Sequence, residues 1–192
     1  MSRDPEIVTQ SLPSNARLVF QGELFDIYQW EQEMYDGTTA IFEQLARDDS
    51  VVVIPVTIDG KILILDQEQP HRGSFTGVVA GGVEKGETPL STARRELQEE
   101  TGYDSDTFDE WFARAPYKKI AWTVHVYIAR NCRKIGAQEL DGGEKIQVRE
   151  VTYDDYLKEI FLPQCRDKDI ILMVSTLLAE GKGDELKKRI LG

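Results

Sequence analysis

The segment GGVEKGETPLSTARRELQEETGY, residues 81–103, opens on two glycines, nears its end on another, and crowds Glu96, Glu99 and Glu100 into its second half. Thr88-Pro89 reads as a helix start, with Thr88 as N-cap and Pro89 at the first helical position, where a missing N–H leaves no bond unmade. Gly102 reads as the stop, because glycine accepts the left-handed conformation that ends many helices. Projected at about 100° per residue, Leu90, Ala93 and Leu97 share one face, the expected core side. Glu96, Glu99 and Glu100 gather on another face within an arc of about 100°, with Arg95 beside Glu99.

A solvated charged face is the plain reading of such a cluster. Against it, acidic residues in a last turn oppose the helix dipole and also repel one another. A divalent cation offsets both. Close carboxylate oxygens suit Mg2+ or Mn2+, metals that commonly hold substrate phosphates. The preceding AGGVEKGE is either an ordinary loop or backbone kept bare so that a ligand or metal can approach Gly81 and Gly82, with a carbonyl exposed as ligand.

Outward from this helix the chain reads as strands. Residues 16–34, 38–46, 50–58, 61–69 and 75–81 precede it, with turns at Asp36-Gly37 and Asp59-Gly60. Residues 123–131 and 144–152 follow as strands, then helices over 154–162, 167–180 and 184–191. Residues 1–15 read as frayed or extended. Strands, one helix, strands, then helices imply an α/β sandwich on a mixed sheet rather than a doubly wound fold.

The 192 residues carry 23 basic and 34 acidic side chains, a net charge of -11. So acidic a chain is a poor general binder of nucleic acid or anionic membrane. Its longest apolar runs are only a few residues, so no membrane span is expected, and the N-terminus does not read as a secretion signal. Cys132 and Cys165 lie far apart with no pairing motif, as expected of reduced thiols in a cytoplasmic protein.

The segment also resembles the Nudix box, position by position: Gly81, Glu87, Arg95, Glu96, Leu97, Glu99, Glu100, Gly102 and Tyr103, with Tyr103 where the family usually has an aliphatic residue. The resemblance implies a Nudix α/β/α sandwich around a mixed sheet, over about residues 48–155. It implies metal-dependent hydrolysis of a nucleoside diphosphate linked to a group X. Glu96 and Glu100 match the usual metal-ligand positions, Glu99 shares a metal or acts as base, and the carbonyl of Ala80 or Gly81 completes the site. Arg95 and Glu87 match a pair that orients the catalytic glutamates. In several branches the base comes from a later loop, where Glu144 is the first candidate and Glu139 the second.

Residues 20–45 resemble the β region that precedes the core in ADP-ribose and nucleotide-sugar pyrophosphatases. That implies a division into residues 1–47, a dimerisation region, and 48–192, the hydrolase domain with its C-terminal helices, in a homodimer. DQEQPHR (66–72) resembles the stretch near the diphosphate in that branch, making Arg72, and secondarily His71, substrate contacts. The chain departs from the branch at Gly77-Val78-Val79, where Glu-Leu-Pro is usual, and at Pro116-Tyr117, where Gly usually follows Pro. Nucleoside triphosphates or dinucleoside polyphosphates remain alternative substrates. A non-catalytic ligand sensor is a different class, as is an isomerase, for which Cys132 and Cys165 are poorly placed.

Overall fold

Alternation along two strands sets the layering. In β4 (Ser50–Thr57) Val51 and Val53 point to one apolar cluster, while Ile54 and Val56 point to another on the opposite face. In β11 (Val124–Lys134) Tyr127 and Ala129 join the first cluster, and Val124, Val126 and Ile128 the second. The two strands run parallel, Val124 opposite Ser50 and Ala129 opposite Pro55. A sheet buried on both faces needs a covering layer on each. Helix α1 (Pro89–Thr101) covers one through Ala93 and Leu97. Helices α2 (Tyr153–Ile160), α3 (Lys168–Ala179) and α4 (Gly183–Leu191) cover the other through Tyr156, Ile160, Ile170, Val174, Leu186 and Ile190. The result is the expected three-layer α/β/α sandwich on a mixed sheet.

This computed structural model describes residues 11–70 and 72–192. The expectations for residues 1–10 and for His71 lie outside the described residues. The main sheet runs β12 (Lys145–Val151), β5 (Ile62–Gln69), β4, β11, β8 (Tyr103–Asp104). Strands β6 (Gly73–Gly77), β7 (Val79–Gly82) and β9 (Thr107–Arg114) pair with β5, β4 and β11 respectively. A second, four-stranded sheet holds β1 (Arg17–Gln21), β2 (Asp26–Glu33), β3 (Thr39–Ala46) and the short β10 (Ile120–Ala121). Its link to the main domain is the parallel β3–β10 pair, with Ile120 opposite Leu45.

Four features differ from the sequence reading. The stretch 16–34 is two antiparallel strands, because the chain turns at Gly22–Phe25. The stretch 75–81 breaks at Val78, so β6 pairs with β5 and β7 with β4. Strand β9 was not legible, since Asp109 and Glu110 interrupt its apolar run. A register shift opposite Val126/Tyr127 then turns both Trp111 and Phe112 into the same cluster, as a bulge does. Finally, Leu90 is not core: it is 49% exposed, while Thr92 and Thr101 are buried beside Ala93 and Leu97.

The last difference is checked by a pair of truncations. Leu97→Ala leaves a cavity between α1 and the sheet and is expected to cost about 2–5 kcal/mol, whereas Leu90→Ala stays within about 0.5 kcal/mol. Urea unfolding should show a lower midpoint for the first variant alone.

Candidate active site

Helix α1 is fixed at both ends. Thr88 Oγ1 accepts from Ser91 N at 3.1 Å and Ser91 Oγ accepts from Thr88 N at 2.8 Å, a reciprocal cap. At the other end Gly102 adopts φ 70°, and a Cβ there would meet the Gly136 carbonyl at 2.4 Å, so only glycine fits. The last carbonyls of the helix do not face water. Glu139 N donates to Glu99 O at 2.9 Å, Gln138 Nε2 to Glu100 O at 2.6 Å, and Lys134 Nζ to Thr101 O at 2.6 Å. The segment after β11 is thereby strapped across the helix end, and the Lys134 ammonium opposes the negative end of the dipole.

The strap holds the carboxylates over the sheet. Glu100, read from sequence as part of a charged face, is buried at 2% exposure, with Oε2 accepting from Ala80 N at 3.1 Å. Its projected angle lies beside that of Ala93, which is why it turns inward. Burial pushes its pKa up to about 8; the Arg166 charge opposes this and Glu96 adds to it. Glu96 rests against Gly81, where a Cβ would lie 1.8 Å from Glu96 Oε1. Gly81 is therefore bare to admit a glutamate of its own chain. Gly82 has open space where a Cβ would go.

Arg95 is the hub. Its Nη1 donates to Glu96 Oε1 and to Glu99 Oε2, both at 2.8 Å. Its Nε and Nη2 grip Glu87 at 2.9 and 3.1 Å, and Nη2 also reaches Gly82 O at 3.2 Å. Thr92 Oγ1 donates to Glu87 Oε2 at 2.7 Å, and together Arg95 and Thr92 hold the Glu87 carboxyl down to about 2. Burial raises Glu96 above the ordinary carboxylate range, with Arg95 pulling against it.

These groups floor a cleft of about 580 Å³. Glu139, Asp141 and Glu144 wall one side, and Glu23, Leu24, Arg47 and Asp48 from the N-terminal region line another. Nine acidic and three basic side chains line it, and Arg95 is already shared among carboxylates, so the cleft repels an anion unless cations enter with it. Glu144 accepts from Gln69 Nε2 at 3.5 Å, and its charge is felt by Glu96 and Glu100. Arg72 is exposed, and its charge reaches Arg47. The sequence gave no sign of Arg166, whose guanidinium lies 4.9 Å from the Phe75 ring centroid and whose stem fills the space beside Gly77. It is more than sixty residues beyond the box, where no local pattern reaches.

A NUDIX domain family model matches residues 46–168. The chain belongs to the NUDIX family. It is 35% identical over 143 residues to an ADP-ribose pyrophosphatase of Bacillus subtilis (strain 168), covering 73% of this chain and 77% of the relative. It is 32% identical over 164 residues to a methanol dehydrogenase activator of Bacillus methanolicus, covering 83% of this chain and 88% of the relative. A solved structure described as an ADP compounds hydrolase shares the fold at a TM-score of 0.69 and 18% identity, covering 91% of this chain and 100% of that one. NUDIX hydrolases use divalent metal ions, and the donor set here fits one. Three carboxylates and a bare backbone offer hard oxygen ligands, and buried Glu100 has one hydrogen-bond donor for a charge that needs more. Among the described residues no three carboxylates are already arranged as ligands, because Arg95 draws Glu96 and Glu99 to itself.

Two glycine variants separate the roles inferred from this geometry. Gly81→Ala displaces Glu96, the far end of a flexible side chain, so the fold is expected to survive while divalent-cation affinity falls by about tenfold or more. Gly82→Ala should bind like wild type. Isothermal titration with Mn2+ and a melting curve on each variant check both.

Proposed function

We propose that the protein hydrolyses the diphosphate linkage of ADP-ribose or a related nucleoside diphosphate-X, giving two monophosphates, with Mg2+ or Mn2+ as cofactor. The observation that carries the reading is the carboxylate cluster around Arg95, at the end of α1 and on the floor of an acidic cleft. The ADP-ribose pyrophosphatase relative supports the substrate class.

Glu96, Glu99, Glu100 and the Ala80 carbonyl would hold the metal, which when bound neutralises the diphosphate and makes a water acidic. Arg95 and Glu87 orient Glu96 and Glu99, since one guanidinium fixes all three side chains. Glu144 takes the proton from the attacking water. Glu99 is the weaker candidate for base because its Oε2 is committed to Arg95 at 2.8 Å. Glu144 sits in the turn after Gly142-Gly143, with its backbone N bonded to Asp141 O at 2.9 Å and its carboxylate touched only by Gln69 at 3.5 Å. Glu139 is tied by its backbone to the helix end. Arg72 contacts the phosphates, and Gly82 leaves room for them beside the box.

Residues 1–47 form a dimerisation region ahead of a hydrolase domain over 48–192. The four-stranded sheet leaves Val19, Phe20 and Ile41 exposed, apolar area that a second copy would cover. Buried free thiols at Cys132 and Cys165 fit a cytoplasmic, reducing setting.

With Mg2+, ADP-ribose or a nucleotide sugar should be cut to two monophosphates resolved by chromatography. Cleavage of triphosphates or dinucleoside polyphosphates alone would overturn the substrate class. Glu100→Gln should abolish most activity without lowering the melting temperature, because an amide keeps the Ala80 bond and removes a buried charge; full activity would remove Glu100 from the site. Light scattering should give twice the chain mass of 21.8 kDa, and a monomer would end the dimer reading.

A further inference from the structure

Arg47 stands just beyond β3, where the N-terminal sheet meets the main domain. Its backbone N–H donates to Ala121 O at 3.1 Å. Its guanidinium lies over two rings, 4.7 Å from the Trp122 centroid and 5.6 Å from that of Phe25. Its Nε donates to the Asp48 carbonyl at 3.3 Å. No ion pair ties it to a carboxylate of the described residues. The side chain nonetheless lines the same cleft as the box glutamates.

A guanidinium half stripped of water and left without an ion-pair partner is costly, and its surroundings add to that cost. Burial disfavours its charge; Asp48, next in the chain, offsets part of this, and the nearby Arg72 works against it again. Two arginines that repel each other at the lip of a cleft are relieved by an anion between them. Stacking on two rings holds the planar group in place while leaving edge donors free for paired oxygens. The cleft is thus bipolar, with carboxylates for a cation on its floor and guanidiniums on its lip.

We propose that Arg47 is a substrate-binding residue that, together with Arg72, grips the non-bridging phosphoryl oxygens of the nucleoside diphosphate on the side away from the metal carboxylates. This rests on the hydrolase reading for the identity of the ligand. It also makes the N-terminal region part of the substrate site within one chain.

The test measures ADP-ribose affinity by calorimetry with Ca2+ in place of Mg2+, for wild type, Arg47→Met, Arg47→Lys, Arg72→Met and the Arg47→Met/Arg72→Met double variant. Methionine keeps the apolar contact with the rings and removes the charge. Arg47→Met is expected to weaken binding about tenfold or more, as loss of a charge-assisted hydrogen bond does. Lysine should recover part of the loss. The double variant should lose less than the two single losses multiplied, because both arginines share one ligand. In steady state with Mg2+ the loss should appear in KM more than in kcat, and Mn2+ binding without nucleotide should be unchanged. Wild-type ADP-ribose affinity in Arg47→Met, with only a lower melting temperature, would make the residue a structural stack and overturn the proposal. Loss of ADP-ribose binding in a protein that hydrolyses nothing would keep this inference and sink the hydrolase reading. No binding of ADP-ribose by wild type would overturn both.

Discussion

One guanidinium organises the site. Arg95 donates to Glu87, Glu96 and Glu99 at once, and without it three carboxylates on and beside one short helix would push apart. The arrangement is poised rather than finished. Arg95 supplies the positive charge that a metal would otherwise bring, so the folded protein tolerates its own acidity before any ligand arrives. Glu87, gripped from two sides and by Thr92, keeps the guanidinium from following the glutamates it releases.

The rest of the fold serves that hub from three directions. The sheet supplies Ala80 N to the buried Glu100 and the bare backbone of Gly81 to Glu96. The segment after β11 closes the helix end and brings Glu139, Asp141 and Glu144 to the cleft wall. The N-terminal sheet, joined through the short β3–β10 pair, carries Arg47 and Glu23 to the opposite wall. Each contribution comes from a different part of the chain.

How much of this is legible in the sequence follows from range. The helix, its Thr88 cap and its Gly102 stop depend on neighbours three or four residues away, and the reading met the structure there. The helix projection also grouped the glutamates, but it could not separate the buried Glu100 from the half-exposed Glu99, because which arc faces the sheet is a tertiary matter. Leu90 was misassigned for the same reason. Strand β9 escaped because its bulge breaks the period-two pattern that marks strands. Gly81 was read as room for a ligand, whereas the space is taken by Glu96, and nothing within the box tells these apart. Arg47 and Arg166 lie outside the box and reach the site only through pairing of distant strands.

The strap over the helix end has a consequence for how such a protein can diversify. Its bonds to α1 come from Lys134 through Glu139, and its far end is locked by β12 pairing with β5 from Lys145. Between these anchors, residues 140–144 form a short turn containing Gly142 and Gly143. Insertions there would lengthen a loop whose two ends are independently held, at an entropic cost that grows only slowly with length. The cleft wall can therefore be remodelled, and new substrates explored, while the capped helix and its glutamates stay untouched.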